Sequence, residues 1–183
     1  MAPPKTIGPG EVHAALERLA AAIEARHPST AGLLVLGIAN GGVPVARRLG
    51  ARLGIARTGC LDISFHRDDI GRNPVPKEFS PTVLPGDVNG ADVLLVDDVL
   101  FTGRTVKAAL DELFDHGRPA RVEFAVLVDR GCRRLPIAPD FTGTAVAASP
   151  DEHVVVTLGD RAEDDRIEIR PRATPAKRAA LSR

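Results

Sequence analysis

The chain has 183 residues, 44% of them hydrophobic and 26% charged, as is usual for one globular domain. Its 24 basic side chains (Lys and Arg) equal its 24 acidic ones, so no excess of charge indicates a nucleic-acid or membrane partner. Tyr and Trp are absent and aromatic residues make up only 3%, which leaves little surface for stacking the bases of a nucleic acid.

Cysteine spacing and the first residues exclude further classes of protein. Cys60 and Cys132 lie far apart with no histidine at metal-ligand spacing, so neither a disulfide framework nor a zinc site is predicted. The first ten residues lack the pattern of a signal peptide, and the longest apolar run, 33–39, is too short to cross a bilayer. We therefore expect a cytoplasmic protein.

Helical and strand patterns alternate along most of the chain. Residues 11–27 carry apolar side chains at helical spacing, whereas residues 60–66 alternate strictly between apolar and polar. In chain order the predicted elements are a helix at 11–27, a strand at 32–38, a helix at 41–54, strands at 60–66 and 91–98, a helix at 105–117, a strand at 121–130 and a hairpin made of 153–158 and 166–170. The remainder is a long loop at 67–90, an irregular segment that extends to about 150, and a basic tail at 171–183.

This alternation predicts an α/β fold: a doubly wound, mostly parallel sheet with a C-terminal β-hairpin, in one domain whose core spans about 10–170. Ligands of such sheets bind outside the carboxyl ends of the strands. The segments that follow residues 38, 65, 96 and 129 should therefore open onto one binding edge.

Residues 93–105, VLLVDDVLFTGRT, carry two features of a nucleotide site. Asp97 and Asp98 end a buried strand, where adjacent carboxylates repel each other unless a cation or hydroxyl groups contact them. A helix N-terminus, which binds phosphate through its amide groups, follows at Thr102, Gly103, Arg104 and Thr105. Together they indicate a ribose 5-phosphate site. In the alternative, the aspartates only terminate the strand and Thr102 only caps the helix.

The same stretch resembles the phosphoribosyl pyrophosphate (PRPP) signature of the type I phosphoribosyltransferases. Residues 61–70, 116–137 and 140–143 resemble one branch, the PyrR group of pyrimidine operon attenuation proteins that are also uracil phosphoribosyltransferases. The resemblance covers roughly residues 10–170. It implies that family's fold, with a small hood over the base, and transfer of ribose 5-phosphate from PRPP to uracil to give UMP and pyrophosphate.

The resemblance implies a role for each motif. Asp97 and Asp98 would hold the ribose hydroxyls and, through them or through water, Mg²⁺, the expected cofactor; with Arg67 they are the expected catalytic residues. The 5-phosphate would bind at Thr102–Thr105. The pyrophosphate would bind at the turn after the first strand, which consists of Ala39, Asn40, Gly41 and Gly42. Many relatives have Arg in place of Gly41, and Arg67 is the candidate to compensate.

The base-binding residues are also implied by the resemblance. Purine-specific relatives place Asp where this chain has Phe101, so the apolar ring favours a pyrimidine; in the alternative, Phe101 only packs under the loop. The hood would present backbone groups to uracil from Arg130, Gly131, Leu135, Pro136 and Ile137.

The sequence shows no Ser-His-Asp or Cys-His arrangement for covalent catalysis. Orientation of the reactants and neutralisation of the leaving group would therefore account for most of the rate. The loop at 67–90 is expected to close over the reactants and exclude water.

Two other functions stay open: a UMP-sensing, RNA-binding attenuator with little catalysis, and transfer to another base. The RNA face of the PyrR group is basic, and relatives often carry His, Arg and Lys where this chain has Cys132, Ala138 and Thr144. Glu17 and Ala21 replace a hydroxyl residue and a His, whereas Arg18, Arg133 and Arg134 remain. We therefore expect catalysis to dominate and RNA binding to be weak. The resemblance also implies a homodimer or an assembly of dimers.

Overall fold

The structure, a computed structural model, describes residues 5–66 and 81–172. Within these ranges the elements are, in chain order, β1 (Lys5–Ile7), α1 (Pro9–Arg26), β2 (Leu33–Ile38), α2 (Gly42–Arg52), β3 (Gly59–Leu61), β4 (Asp92–Leu100), α3 (Arg104–Asp115), β5 (Arg121–Asp129), β6 (Phe141–Ala145), β7 (Glu152–Thr157), a 3₁₀ turn (Ala162–Asp164) and β8 (Arg166–Pro171). None of the helices in the described ranges has the length and apolar character needed to span a membrane.

The main sheet is parallel, with the strand order β3-β2-β4-β5-β6. Helices α1 and α2 pack on one face of it and α3 packs on the other. This confirms the predicted doubly wound α/β fold. In this order β2 and β4 are neighbours, so the turns that follow them lie side by side at the carboxyl edge of the sheet.

Strand β4 is apolar on both faces because both faces are covered. Leu94 and Val96 belong to the core under α1 and α2, whereas Val93 and Leu95 belong to the core under α3. All four side chains are at most 1% exposed. The residues before the aspartates are therefore all apolar because they form a central strand that is covered on both faces.

A second, antiparallel sheet has the order β1-β8-β7. It contains the predicted C-terminal hairpin, and the N-terminal residues add β1 as a third strand. Ile167 and Ile169 of β8 are buried against α1. Arg48 of α2 pairs with the buried Asp165 and donates to the Gly159 carbonyl at 2.6 Å, which fixes this small sheet to the main one.

Several boundaries differ from those predicted. Helix α1 begins at Pro9, two residues early, because proline is tolerated in the first turn of a helix. Strand β3 ends at Leu61 instead of residue 66, because the Asp62 carboxylate accepts hydrogen bonds from the amide and hydroxyl of Ser64 and turns the chain. Strand β4 continues past the aspartates to Leu100.

The segment predicted to be irregular contains the strand β6, which pairs with the edge of β5. Its sequence, FTGTA, has one large apolar residue, Phe141, and is too short to show alternation. Of the predicted loop at 67–90, only residues 81–90 are among those described, and Val83 pairs there with Cys60.

Candidate active site

Two helix N-termini meet at the carboxyl edge of the sheet. Residues 39–41 connect β2 to α2, and residues 101–103 connect β4 to α3. Because β2 and β4 are paired side by side, both helices begin at the same edge. The first amides of a helix have no partner within it and bind anions, so this edge offers two neighbouring anion sites.

The turn at 39–42 lies directly against β4. The Ala39 amide donates to the Leu61 carbonyl at 2.9 Å, and the Ala39–Asn40 peptide bond is cis. A Cβ atom on Gly42 would lie 2.1 Å from the Val96 carbonyl oxygen, so only glycine fits there. Backbone contact with the central strand thus determines the position of this turn.

Gly41 contacts the second aspartate of the signature. A Cβ atom at this position would lie 2.5 Å from the Cγ atom of Asp98 and 2.6 Å from each of its carboxylate oxygens. In this chain the carboxylate fills the space that a side chain on the turn would enter. An arginine at this position, which the resemblance gives for many relatives, would therefore clash with Asp98 as it lies in this chain.

Asp97 and Asp98 lie within β4, three and two residues before its last residue. Asp97 is only 5% exposed and Asp98 is partly buried. The Asp98 amide donates to Oδ1 of Asp97 at 3.0 Å, and the Val99 amide donates to Oδ1 of Asp98 at 2.8 Å. Burial raises the pKa of both carboxyl groups, and the charge of Asp98 raises the pKa of Asp97 further.

The turn into α3 depends on a glycine. Gly103, the residue before the helix, has a φ of +90°, a left-handed conformation that favours glycine. The Arg104 amide donates to the Thr102 hydroxyl at 3.4 Å, and Thr105 is exposed in the first turn of α3. Thr102 to Thr105 therefore form one compact turn at the helix N-terminus, as predicted.

Residues 131–137, called the hood below, belong to the segment at 130–145 that is expected to cover the base, and they contact this turn. The Thr102 carbonyl accepts hydrogen bonds from the amides of Arg134 (3.0 Å) and Leu135 (3.1 Å). A Cβ atom on Gly103 would lie 3.3 Å from Cβ of Leu135 and 3.5 Å from Cβ of Ile137. The Ile137 amide donates to the Leu135 carbonyl at 2.8 Å. The amides of both Leu135 and Ile137 are therefore already hydrogen-bonded within the protein, and Pro136 between these residues is exposed.

Arg133 braces the hood from inside. Its guanidinium pairs with Asp129 at the end of β5 and donates to the Ile137 carbonyl at 3.2 Å and to the Phe101 carbonyl at 3.3 Å. From the sequence, Arg133 was predicted only as one of the basic residues of an RNA face. The spacing of four residues between Asp129 and Arg133 was the one available sign of this contact.

Phe101 and Arg130 form a stacked pair. The guanidinium carbon of Arg130 lies 4.0 Å from the centroid of the Phe101 ring. Phe101 is partly buried, whereas Arg130 is 4% exposed. The prediction placed both residues near the base, and the structure brings them together. Gly131, by contrast, is exposed, and its amide donates to the Asp129 carboxylate at 2.8 Å.

Arg67 lies outside the described residues, as does most of the predicted loop. Residues on both sides of that gap contact Glu112 of α3. The Thr82 hydroxyl donates to Glu112 at 2.6 Å, and Nε2 of His66 lies 3.2 Å from Oε2 of the same carboxylate. Helix α3, which begins at the turn formed by residues 102–105, therefore also contacts the described residues on either side of 67–80.

The carboxyl edge of the sheet thus carries a buried carboxylate pair between two helix N-termini. The family model of the phosphoribosyl transferase domain matches residues 10–159. The chain belongs to this family.

Relatives with curated names narrow the group. A "Bifunctional protein PyrR" from Ralstonia nicotianae is 51% identical over 122 residues, which cover 67% of this chain and 70% of the relative. One from Chloroflexus aurantiacus is 45% identical over 165 residues, 87% of this chain and 90% of the relative. Within its family, the chain therefore belongs to the PyrR group.

Solved structures show the same fold at lower identity. A hypoxanthine-guanine phosphoribosyltransferase from Bacillus anthracis matches with a TM-score of 0.64 and 19% identity over 82% of this chain and 86% of that one. A purine phosphoribosyltransferase from Pyrococcus horikoshii matches with a TM-score of 0.57 and 24% identity over 76% of this chain and 86% of that one. At these identities the likeness concerns the fold alone.

Proposed function

We propose that this protein is a uracil phosphoribosyltransferase that converts PRPP and uracil to UMP and pyrophosphate. The observation that carries the proposal is the order of groups along the carboxyl edge: the N-terminus of α2, the buried aspartate pair, and the N-terminus of α3. PRPP presents pyrophosphate, a sugar diol and a 5-phosphate in the same order. Membership of the PyrR group supports uracil as the base.

The aspartates are the proposed ribose-binding residues. Among the described residues, the donors to these carboxylates are the amides of Asp98 and Val99 and, when one carboxyl group is protonated, that neighbouring carboxyl group itself. Burial without a cationic partner raises their pKa values, so in the free protein the ionised pair is held at a cost. Two ribose hydroxyls would supply the missing donors, and ionised carboxylates close to the sugar would favour the positive charge that develops at C1.

The two helix N-termini are the proposed phosphate sites. Residues 102–105 would bind the 5-phosphate through the amides and hydroxyls of the turn, and residues 39–42 would bind the pyrophosphate through backbone amides. Anchoring both ends of PRPP orients C1 toward the base, and such orientation lowers the barrier without a covalent intermediate.

Mg²⁺ fits this site only as a partner shared with the substrate. The described residues contain no group of three or more His, Cys, Asp or Glu side chains that could hold a metal ion. Mg²⁺ usually keeps several waters and binds one or two carboxylates together with substrate phosphates, which suits Asp97 and Asp98 acting through ribose hydroxyls or water. When bound, it would neutralise charge on the departing pyrophosphate.

A side-by-side assay tests the proposal. The protein is incubated with PRPP, Mg²⁺ and one base at a time: uracil, hypoxanthine, guanine, xanthine or orotate. We expect UMP to be the main product, because the apolar ring of Phe101 stands where purine-specific relatives have Asp. Turnover of a purine or of orotate at a rate that rivals uracil would contradict the assignment of the base.

Regulation through RNA is the second candidate, favoured because the relatives are named bifunctional. The basic residues that remain on the expected RNA face are largely occupied, however. Arg18 donates to the Gly143 carbonyl at 2.8 Å, and Arg133 is held inside the hood. Arg52 pairs with Glu17 and Glu24, so the neighbouring surface of α1 carries acidic groups. Among the described residues, these contacts reduce the number of cations that could bind RNA phosphates, which supports catalysis as the first candidate.

A further inference from the structure

Arg130 is a buried cation held in an unusual way. It is the first residue after β5, and its two terminal nitrogens donate to the carbonyls of Ser149 and Glu152, each at 2.8 Å. Its Nε atom is buried without a hydrogen-bond partner among the described residues. Within the same ranges, no carboxylate lies at ion-pair distance from its guanidinium.

Burying a guanidinium without a carboxylate partner costs free energy. The contacts that Arg130 does make therefore indicate its role. The two carbonyls orient the planar group, and the ring of Phe101 lies against its face at 4.0 Å. A cation over an aromatic face is attracted by the ring quadrupole, most strongly when both are removed from water. The contacts of Arg130 therefore determine where the Phe101 ring lies.

The backbone around Phe101 is held as well. Its own carbonyl accepts a hydrogen bond from Arg133 at 3.3 Å, and the following carbonyl, of Thr102, accepts the amides of Arg134 and Leu135. The Arg130 amide donates to the Leu100 carbonyl at 3.2 Å. The ring thus has a defined position relative to the phosphate turn, while part of its surface remains accessible.

We propose that Arg130 is a positioning residue that holds the Phe101 ring as the wall against which uracil packs, without contacting the base itself. The proposal rests on the proposed function and deepens it by naming what determines base affinity. The guanidinium on one face of the Phe101 ring draws electron density toward itself. The opposite face of that ring then packs more favourably against uracil, whose ring is rich in carbonyl oxygens. The Ser149 and Glu152 carbonyls extend this support to the start of β7 and the residues just before it.

Steady-state kinetics of Arg130→Lys test this role. Lysine keeps the charge but loses the planar fork that binds two carbonyls and stacks on a ring. We expect KM for uracil to rise about tenfold, whereas KM for PRPP should stay within about twofold. Arg18→Lys is the matched control, because Arg18 also donates to a backbone carbonyl but lies away from this edge; it should leave both KM values unchanged.

Phe101→Leu and the double variant show whether the effect passes through the ring. Phe101→Leu alone should raise KM for uracil by a similar factor, and adding Arg130→Lys to it should then change little. Factors that multiply in the double variant would mean that Arg130 contacts the base directly, which overturns the proposal. An unchanged KM for uracil in Phe101→Leu overturns it too, even if Arg130→Lys fails to fold.

These measurements distinguish failure of the positioning role of Arg130 from failure of the proposed transferase function. If the unaltered protein makes no UMP, the proposed function fails whatever the variants do. If it makes UMP but Arg130→Lys raises KM for PRPP and for uracil equally, the transferase assignment stands and the positioning role fails. Calorimetric titration of each variant with PRPP and Mg²⁺ confirms that its phosphate sites are intact.

Discussion

Replacing Gly41 by alanine should separate activity from stability. Gly41 has φ −64° and ψ −35°, which alanine adopts without strain, and the residue is exposed. The three heavy atoms nearest to the added methyl group would all belong to the Asp98 carboxylate, at 2.5–2.6 Å. We therefore expect the melting temperature to stay the same or rise slightly, because alanine restricts the unfolded chain more than glycine does.

The expected loss of activity follows from the same distance. The clash falls about 0.9 Å short of the 3.4 Å at which ordinary contact begins, so the carboxylate or the turn has to move by about that amount. A displacement of about 1 Å in a reacting group costs on the order of 100-fold in rate. We expect kcat/KM for PRPP in Gly41→Ala to fall by about that factor, as measured by UMP formation at saturating uracil.

Three further variants test whether the clash with Asp98 causes the loss of activity. Gly32→Ala, where nothing lies within 4 Å of the added methyl group, should behave like the unaltered protein. Gly42→Ala, which would lie 2.1 Å from a backbone carbonyl of β4, should instead lower the melting temperature. In an Asp98→Ala background the Gly41→Ala change should cost little more. Full activity in Gly41→Ala would refute the argument, because the carboxylate could then move freely without consequence.

Four further predictions concern the same edge and the surface. Asp98→Asn should fold normally but lose about 100-fold in kcat/KM, because on the proposed function Asp98 helps to bind the ribose hydroxyls and an amide cannot replace its carboxylate. Asp92→Asn at the other end of β4 is the control, and near-normal turnover of Asp98→Asn would remove the ribose-binding role. Burial raises the pKa of Asp97, so the contribution of this residue to stability is complete below the unfolded pKa of about 3.9 and is lost as the pH rises through the folded value. Asp97→Asn should therefore raise the melting temperature at about pH 7.5, by an amount that shrinks toward about pH 4. A gain in melting temperature that is the same at every pH would contradict this cause. Phe101→Asp should raise KM for uracil at least tenfold while calorimetry shows PRPP binding retained, and loss of both would indicate a general role in the fold. Affinity for a pyrimidine-leader RNA hairpin, measured by filter retention across a salt series, should barely exceed affinity for scrambled RNA and should lose most of its salt dependence without residues 171–183; strong preference for the hairpin that UMP enhances would establish regulation.

Local sequence patterns determined the architecture of this protein and its main site. Apolar strands alternating with amphipathic helices predicted a doubly wound sheet, because strands covered on both faces are apolar throughout. The adjacent aspartates and the turn at 102–105 lie within one stretch of thirteen residues, so their order along the binding edge could be read directly. The rule that ligands bind at the carboxyl ends of strands then predicted where the site should lie.

Only the tertiary structure decided how the distant segments meet. Gly41 and Asp98 are 57 positions apart in the sequence and meet because β2 and β4 pair in parallel. Arg130 is directed to Phe101 by carbonyls 19 and 22 residues farther along the chain, in a segment with no regular pattern. Backbone carbonyls carry no side-chain signature, and the burial that makes their hydrogen bonds strong exists only after the sheet has formed. For that reason the sequence could place Arg130 near the base but could not show that it holds the ring of Phe101.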